Sequence, residues 1–199
     1  MDDAGHPRDE AGLLDDHAAA EPPTLYLDID GVVTTVGYQC RAGKDALNPS
    51  QIAIVAALVR EFEAKVVVSS TWRVADCRAT LVEAGLPADS FHADWRTAIL
   101  PTSRDPLTGG MLPAEEAGRG GEISEHAVRN RIGRYLVLDD VDVGPAHAGR
   151  HVRPPAERGL SEPDFSLARR ILASMDPRAR STLSSGASQP SADLRPHTY

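Results

Sequence analysis

Short apolar runs that each stop at a polar or acidic cluster recur along this chain. Thr24-Leu25-Tyr26-Leu27 stops at Asp28, Lys65-Val66-Val67-Val68 at Ser69-Ser70-Thr71, and Tyr135-Leu136-Val137-Leu138 at Asp139-Asp140. Each run is too short for a helix and reads as a buried strand. Two more short strands are expected, near Ser90 to His92 and at His151-Val152. Between them the apolar spacing turns helical. Ile52, Val55, Ala56, Val59 and Phe62 predict a helix from about Ser50 to Ala64, with Asn48 or Ser50 as cap and Pro49 in its first turn. Further helices are expected over about Asp76 to Ala84 with Gly85 as the stop, Glu122 to Ile132, and Glu162 to Met175, the last opened by a capping-box pair, Ser161 and Asp164.

Strands alternating with helices predict an α/β fold, a Rossmann-like three-layer sandwich with a mainly parallel sheet. Sites in such sheets form outside the carboxyl ends of the strands, which is where the three polar clusters fall. Sixteen or so residues separate Gly31 from the next expected helix, and no compact insertion follows Ser70, so no large cap domain is expected. An open site of this kind admits bulky substrates.

Composition adds boundaries. The 199 residues, 41% hydrophobic and 25% charged, suit one core. Residues 1–22 hold seven acids against Arg8 alone, and 177–199 are rich in Ser, Gly and Pro; both read as disordered tails around one domain at 23–176. The net charge of −8 is therefore concentrated at the start: Thr24 to Asp176 carries 21 acidic and 17 basic residues. That balance neither requires nor excludes a nucleic-acid partner. Two cysteines, no signal-peptide pattern and no long apolar run point to a cytoplasmic protein without a membrane partner.

Carboxylates brought together at strand ends repel one another unless a cation sits among them, and a half-open set of hard oxygens suits Mg²⁺. The segment Leu27-Asp28-Ile29-Asp30-Gly31-Val32-Val33 resembles the first motif of the haloacid dehalogenase (HAD) superfamily of phosphatases. The resemblance implies that Asp28 is the nucleophile and Asp30 the general acid and base. It implies a phosphoryl-binding hydroxyl after the second strand, best met by Ser70 with Thr71 beside it and Ser69 as an alternative. It further implies a basic third motif, best met by Arg119, and a Mg²⁺ held by Asp28, the backbone carbonyl of Asp30, and Asp139 with Asp140. Arg129, Arg131 and Arg134 read as surface or structural residues.

Ser70-Thr71-Trp72-Arg73, Arg119-Gly120-Gly121-Glu122-Ile123, the Leu-Asp-Asp strand end and Gly159-Leu160-Ser161 are similar to the HAD domain of Swiss-army-knife RNA-repair proteins, with Arg119 where Lys is more usual. This implies a phosphorylated substrate, such as an RNA or DNA end. The competing readings are a phosphatase of a small metabolite or nucleotide, and a non-catalytic phosphate- or partner-binding module. A calcium loop starting at Asp28 fails at its twelfth position, which is Gln39 rather than Glu. Trp72 and Trp95 read as packing residues, each followed by an arginine, Arg73 or Arg96, able to meet a phosphate. None of the seven histidines has ligand spacing.

Overall fold

The computed structural model describes residues 21–100 and 118–176. The expected tails lie almost wholly outside these residues, as does the Pro- and Gly-rich stretch 101–117.

Five strands form one parallel sheet: β1 (Thr24–Leu27), β2 (Lys65–Val68), β3 (Phe91–Arg96), β4 (Tyr135–Leu138) and β5 (His151–Val152), in the order β3-β2-β1-β4-β5. β1 is central and buried throughout, because both faces of the sheet are covered and neither side of the strand can be polar. Period-two alternation divides the core. Leu25, Leu27, Val66, Val68, Leu136 and Leu138 pack on one face with Ile52, Val55 and Val59 of α2 (Pro49–Phe62) and Ala168 and Leu172 of α5 (Glu162–Ser174). Tyr26, Val67 and Val137 pack on the other with Ile123 and Ala127 of α4 (Arg119–Arg129).

The caps follow the sequence. Asn48 Oδ1 accepts the Ser50 amide at 3.0 Å with Pro49 opening α2, and Ser161 with Asp164 makes the capping box of α5. Four expectations need correction. A helix, α1 (Val36–Ala42), occupies the interval after Gly31; none of its residues is buried, so it lacks the apolar stripe that spacing detects, and only its Thr35 cap marks it. α3 runs only Arg78–Glu83, since Asp76 Oδ1 accepts the Arg78 amide at 3.1 Å and so stands ahead of the helix instead of within it. β3 is longer than its apolar signal because it is a half-buried edge strand with a register break against β2. α4 begins at Arg119, three residues early, after Gly118 at φ 89°.

Gly120 makes that early start possible. A Cβ there would collide with the Val143 carbonyl, so the first turn of α4 rests directly on the loop after β4. No cap domain is found among the described residues, and none of their helices is long and apolar enough to cross a membrane.

Candidate active site

Strand register assembles the site. Leu27 pairs with Val68 on one side and Leu138 on the other, so the next residues, Asp28, Ser69 and Asp139, stand in one row across three strands. Hydrogen bonds carry the row past the strand ends: Asp28 N–H donates to Leu138 O, and Ser69 N–H to Leu27 O, both at 2.9 Å. Alternation turns this row toward the face covered by α4. The chain winds outward from β1 to β3 on one side and from β4 to β5 on the other, so the crevice between β1 and β4 is the topological switch point, where such sheets bind ligands.

Asp28, Asp139 and Asp140 each bring a carboxylate oxygen within 4.8 Å of the others. Asp28 and Asp139 are buried, Asp140 half-buried. Arg119, from the first turn of α4, sets Nη1 2.9 Å from Asp28 Oδ1 and 2.6 Å from Asp139 Oδ2. Burial, then the Asp28 charge, pushes Asp139 up to about 7 despite Arg119. The same two causes, in the same order, raise Asp140. Burial lowers the affinity of Arg119 for its proton, but the Asp28 and Asp139 charges outweigh it and the net shift is upward. Three carboxylates against one guanidinium leave two negative charges when ionised. Hard oxygen donors with that surplus fit a divalent cation such as Mg²⁺.

Backbone contacts fix this end of β4. Asp139 Oδ1 accepts the Val141 amide at 3.1 Å, and its carbonyl accepts His151 Nε2–H at 2.8 Å. Arg153 Nε donates to the Asp140 carbonyl at 2.9 Å. Gly31, at φ 78°, lies against Asp140, whose Cγ would be 2.5 Å from a Cβ at this position.

Asp30 is set apart. Its side chain lies outside the carboxylate cluster and is exposed, with Oδ2 accepting Trp72 Nε1–H at 3.0 Å and Oδ1 accepting Gln39 Nε2–H at 3.3 Å. Any metal contact from Asp30 is left to its backbone carbonyl, as the sequence resemblance implies. Trp72 does more than pack, and Gln39 comes from the helix that spacing missed. Trp72 stands two residues after Ser70, a spacing that marked it; nothing in the sequence marked Gln39.

Of the three hydroxyls after β2, Thr71 is exposed, Ser70 Oγ accepts the Trp72 amide at 3.4 Å, and Ser69 Oγ is buried with no partner among the described residues. Arg73 is not available to a phosphate: it is 5% exposed and bound to Glu122. Arg96 is exposed and lies over the Trp95 ring, which Arg78 also approaches. Arg129 pairs with Glu125 and Asp94, Arg134 donates to Glu21 O, and Arg131 is exposed at φ 56°.

Two clefts, of about 560 and 960 Å³, lie at the opposite end of the sheet around Lys65 and Arg134. The carboxylate cluster is distinguished by its side chains. No curated protein and no solved structure matches the chain. A model of the HAD domain in Swiss Army Knife RNA repair proteins matches residues 24–165, which spans every strand, the acidic row, Arg119 and the start of α5. The match covers well over half of the sequence, and the chain belongs to this family of HAD domains.

Proposed function

We propose that this chain is a phosphomonoester hydrolase that works through a covalent phosphoryl group on Asp28. One observation carries the reading: a buried carboxylate at the end of the central strand is paired to an arginine and flanked by two more carboxylates, while a separate, exposed carboxylate is held at the rim. Asp28 attacks phosphorus and the bond to the leaving oxygen breaks; Asp30 gives that oxygen its proton. Asp30 then takes a proton from water as the water attacks the phosphoryl group, which releases phosphate and restores Asp28. Arg119 stays paired to Asp28 and balances charge on the equatorial oxygens, where such sites gain much of their rate. Asp28, Asp139 and Asp140 would hold Mg²⁺, which when bound offsets charge on the same oxygens.

A hydroxyl from the loop after β2 holds a phosphoryl oxygen. The register row favours Ser69, and the spacing to Trp72 favours Ser70. Comparing Ser69→Ala with Ser70→Ala on one substrate decides between them.

For the substrate we propose a phosphorylated nucleic-acid end, supported by the name of the family and by the absence of a cap domain among the described residues. The test is Mg²⁺-dependent phosphate release from 3′- and 5′-phosphorylated RNA and DNA oligonucleotides, mononucleotides and an aryl phosphate. Preference for one oligonucleotide end supports the proposal. Turnover of mononucleotides alone would redirect it to a metabolite phosphatase, and no turnover of anything to a phosphate-binding module.

A further inference from the structure

Arg73 and Glu122 have no part in the chemistry above, yet both are buried beneath it. Arg73 Nη2 meets Glu122 Oε2 at 2.6 Å, with the two side chains 5% and 8% exposed. Nη1 of the same guanidinium donates to two successive carbonyls, Ser69 O at 2.5 Å and Ser70 O at 2.9 Å. Glu122 sits one helical turn after Arg119, and its Oε2 is 4.0 Å from Arg119 Nε. One ion pair therefore ties the loop after β2 to the helix that delivers the active-site arginine.

Burying such a pair is costly, and replacing it with apolar side chains of similar size is often neutral for stability, so stability alone does not explain it. Its geometry offers a specific role. In a trans peptide the C=O and N–H point in opposite directions. Because one Nη1 gathers the carbonyls of Ser69 and Ser70, the amides of Ser70 and Thr71 both point away from the buried guanidinium. Neither amide has a partner among the described residues. Successive free amides on one side of a turn form a concavity for an anion.

We infer that Arg73 and Glu122 are a positioning pair: Arg73 turns the Ser69 and Ser70 peptides so that the amides of Ser70 and Thr71 bind the phosphoryl group, while Glu122 locks that loop to the helix carrying Arg119. The inference rests on the phosphatase reading of this site but can fail separately from it. The informative variant of the full chain is Arg73→Met with Glu122→Leu, which removes both charges together and avoids leaving one unpaired.

Three measurements are made in Mg²⁺: thermal unfolding, the dissociation constant of inorganic phosphate by calorimetry, and kcat and KM on an aryl phosphate. The double variant is expected to unfold cooperatively and to bind inorganic phosphate about tenfold or more weakly, with a similar loss in kcat/KM, as for hydrogen bonds to a charged group. Arg73→Lys keeps the positive charge but has one nitrogen in place of the guanidinium fork, which holds Glu122 through Nη2 and the two carbonyls through Nη1, and it should show the same loss; it serves if the double variant does not fold. Wild-type phosphate affinity in a folded variant overturns the clamp. A wild-type chain that binds phosphate without turning over any ester overturns the phosphatase reading and leaves the clamp to stand or fall on binding. If the wild type neither binds phosphate nor turns over an ester, both are overturned; if it turns over the ester without measurable phosphate binding, an unchanged kcat/KM in a folded variant overturns the clamp.

Discussion

Two carboxylates two residues apart have very different surroundings, and this separates their proposed tasks. Asp28 is buried between Arg119 and two acids, whereas Asp30 is exposed and receives two neutral N–H donors. Asp28→Asn should abolish phosphate release. Asp30→Asn should retain the nucleophile and lose on the order of 10² to 10⁴ in kcat, the usual contribution of a general acid or base. Steady-state assays and mass spectrometry of the peptide containing residue 28 check this, and a fully active Asp28→Asn would end the covalent reading.

Protonation of Asp139 makes stability depend on pH. Asp139 has an ordinary value of 3.8 and is pushed up to about 7 in the fold, so the folded state holds a proton that the unfolded chain has lost between these values. The stability from this proton is fully present below about 3.8 and is lost as pH rises through about 7. Burial depresses His126 and His151, and their linkage has the opposite sign: stability rises with pH up to their ordinary value of 6.5. The raw Tm therefore mixes the two trends, and the Mg²⁺-dependent part of Tm isolates the acidic row. That increment should be larger at pH 8, where the row is ionised, than at pH 5.5. A chelator titration at both pH values reads it, and an equal increment would remove Mg²⁺ from Asp139.

At the scale of elements, α4 concentrates most of the site's support. Its first turn supplies Arg119 and Glu122, and its buried His126 accepts Tyr26 O–H at 3.0 Å on Nδ1 while Nε2–H donates to Asp94 O at 2.8 Å. Because Gly120 lies directly on Val143 O, Gly120→Ala should push the turn outward, destabilise the fold by about 1–3 kcal/mol as overpacking does, and lower activity through displaced Arg119. Urea unfolding and kcat together test this; an unchanged kcat would mean that Arg119 tolerates the shift. Element legibility followed burial. β1, β2 and β4 were readable because strands covered on both faces are continuous apolar runs, and α2 and α5 because stripe and cap agree. α1 hid because nothing on it is buried, and with it hid Gln39 as a partner of Asp30. The three-residue error at α4 arose because Gly120-Gly121 reads as a breaker when only local propensity is considered, whereas a tertiary contact requires the first of these glycines. The acidic row was legible as three clusters, but the Arg73–Glu122 link was not, since it spans 49 residues and appears only when the strands are in register.

At the scale of the whole molecule, the core clusters extend from Leu25 to Leu172, and Thr24 N–H and Arg134 Nη1 fasten the start of the described chain to β1's neighbourhood through Arg134 O and Glu21 O. A fragment of residues 21–176 should therefore unfold cooperatively with nearly the Tm of the full chain and hydrolyse an aryl phosphate at the same rate. Residues 1–20, which the fragment lacks, nonetheless carry six acids against one arginine, and residues 177–199 three arginines against one acid, so the full chain carries an additional net negative charge that repels a polyanion. If the substrate is a nucleic-acid end, the fragment should have a lower KM than the full chain for a phosphorylated oligonucleotide. The difference should be clear at about 0.01 M salt, where the Debye length is about 30 Å, and small at about 0.15 M, where it is about 8 Å. KM for the aryl phosphate should not differ at either salt. An oligonucleotide KM that ignores both truncation and salt would count against a nucleic-acid substrate while leaving the phosphatase chemistry intact, because the acidic row, Arg119 and Asp30 all lie within the fragment.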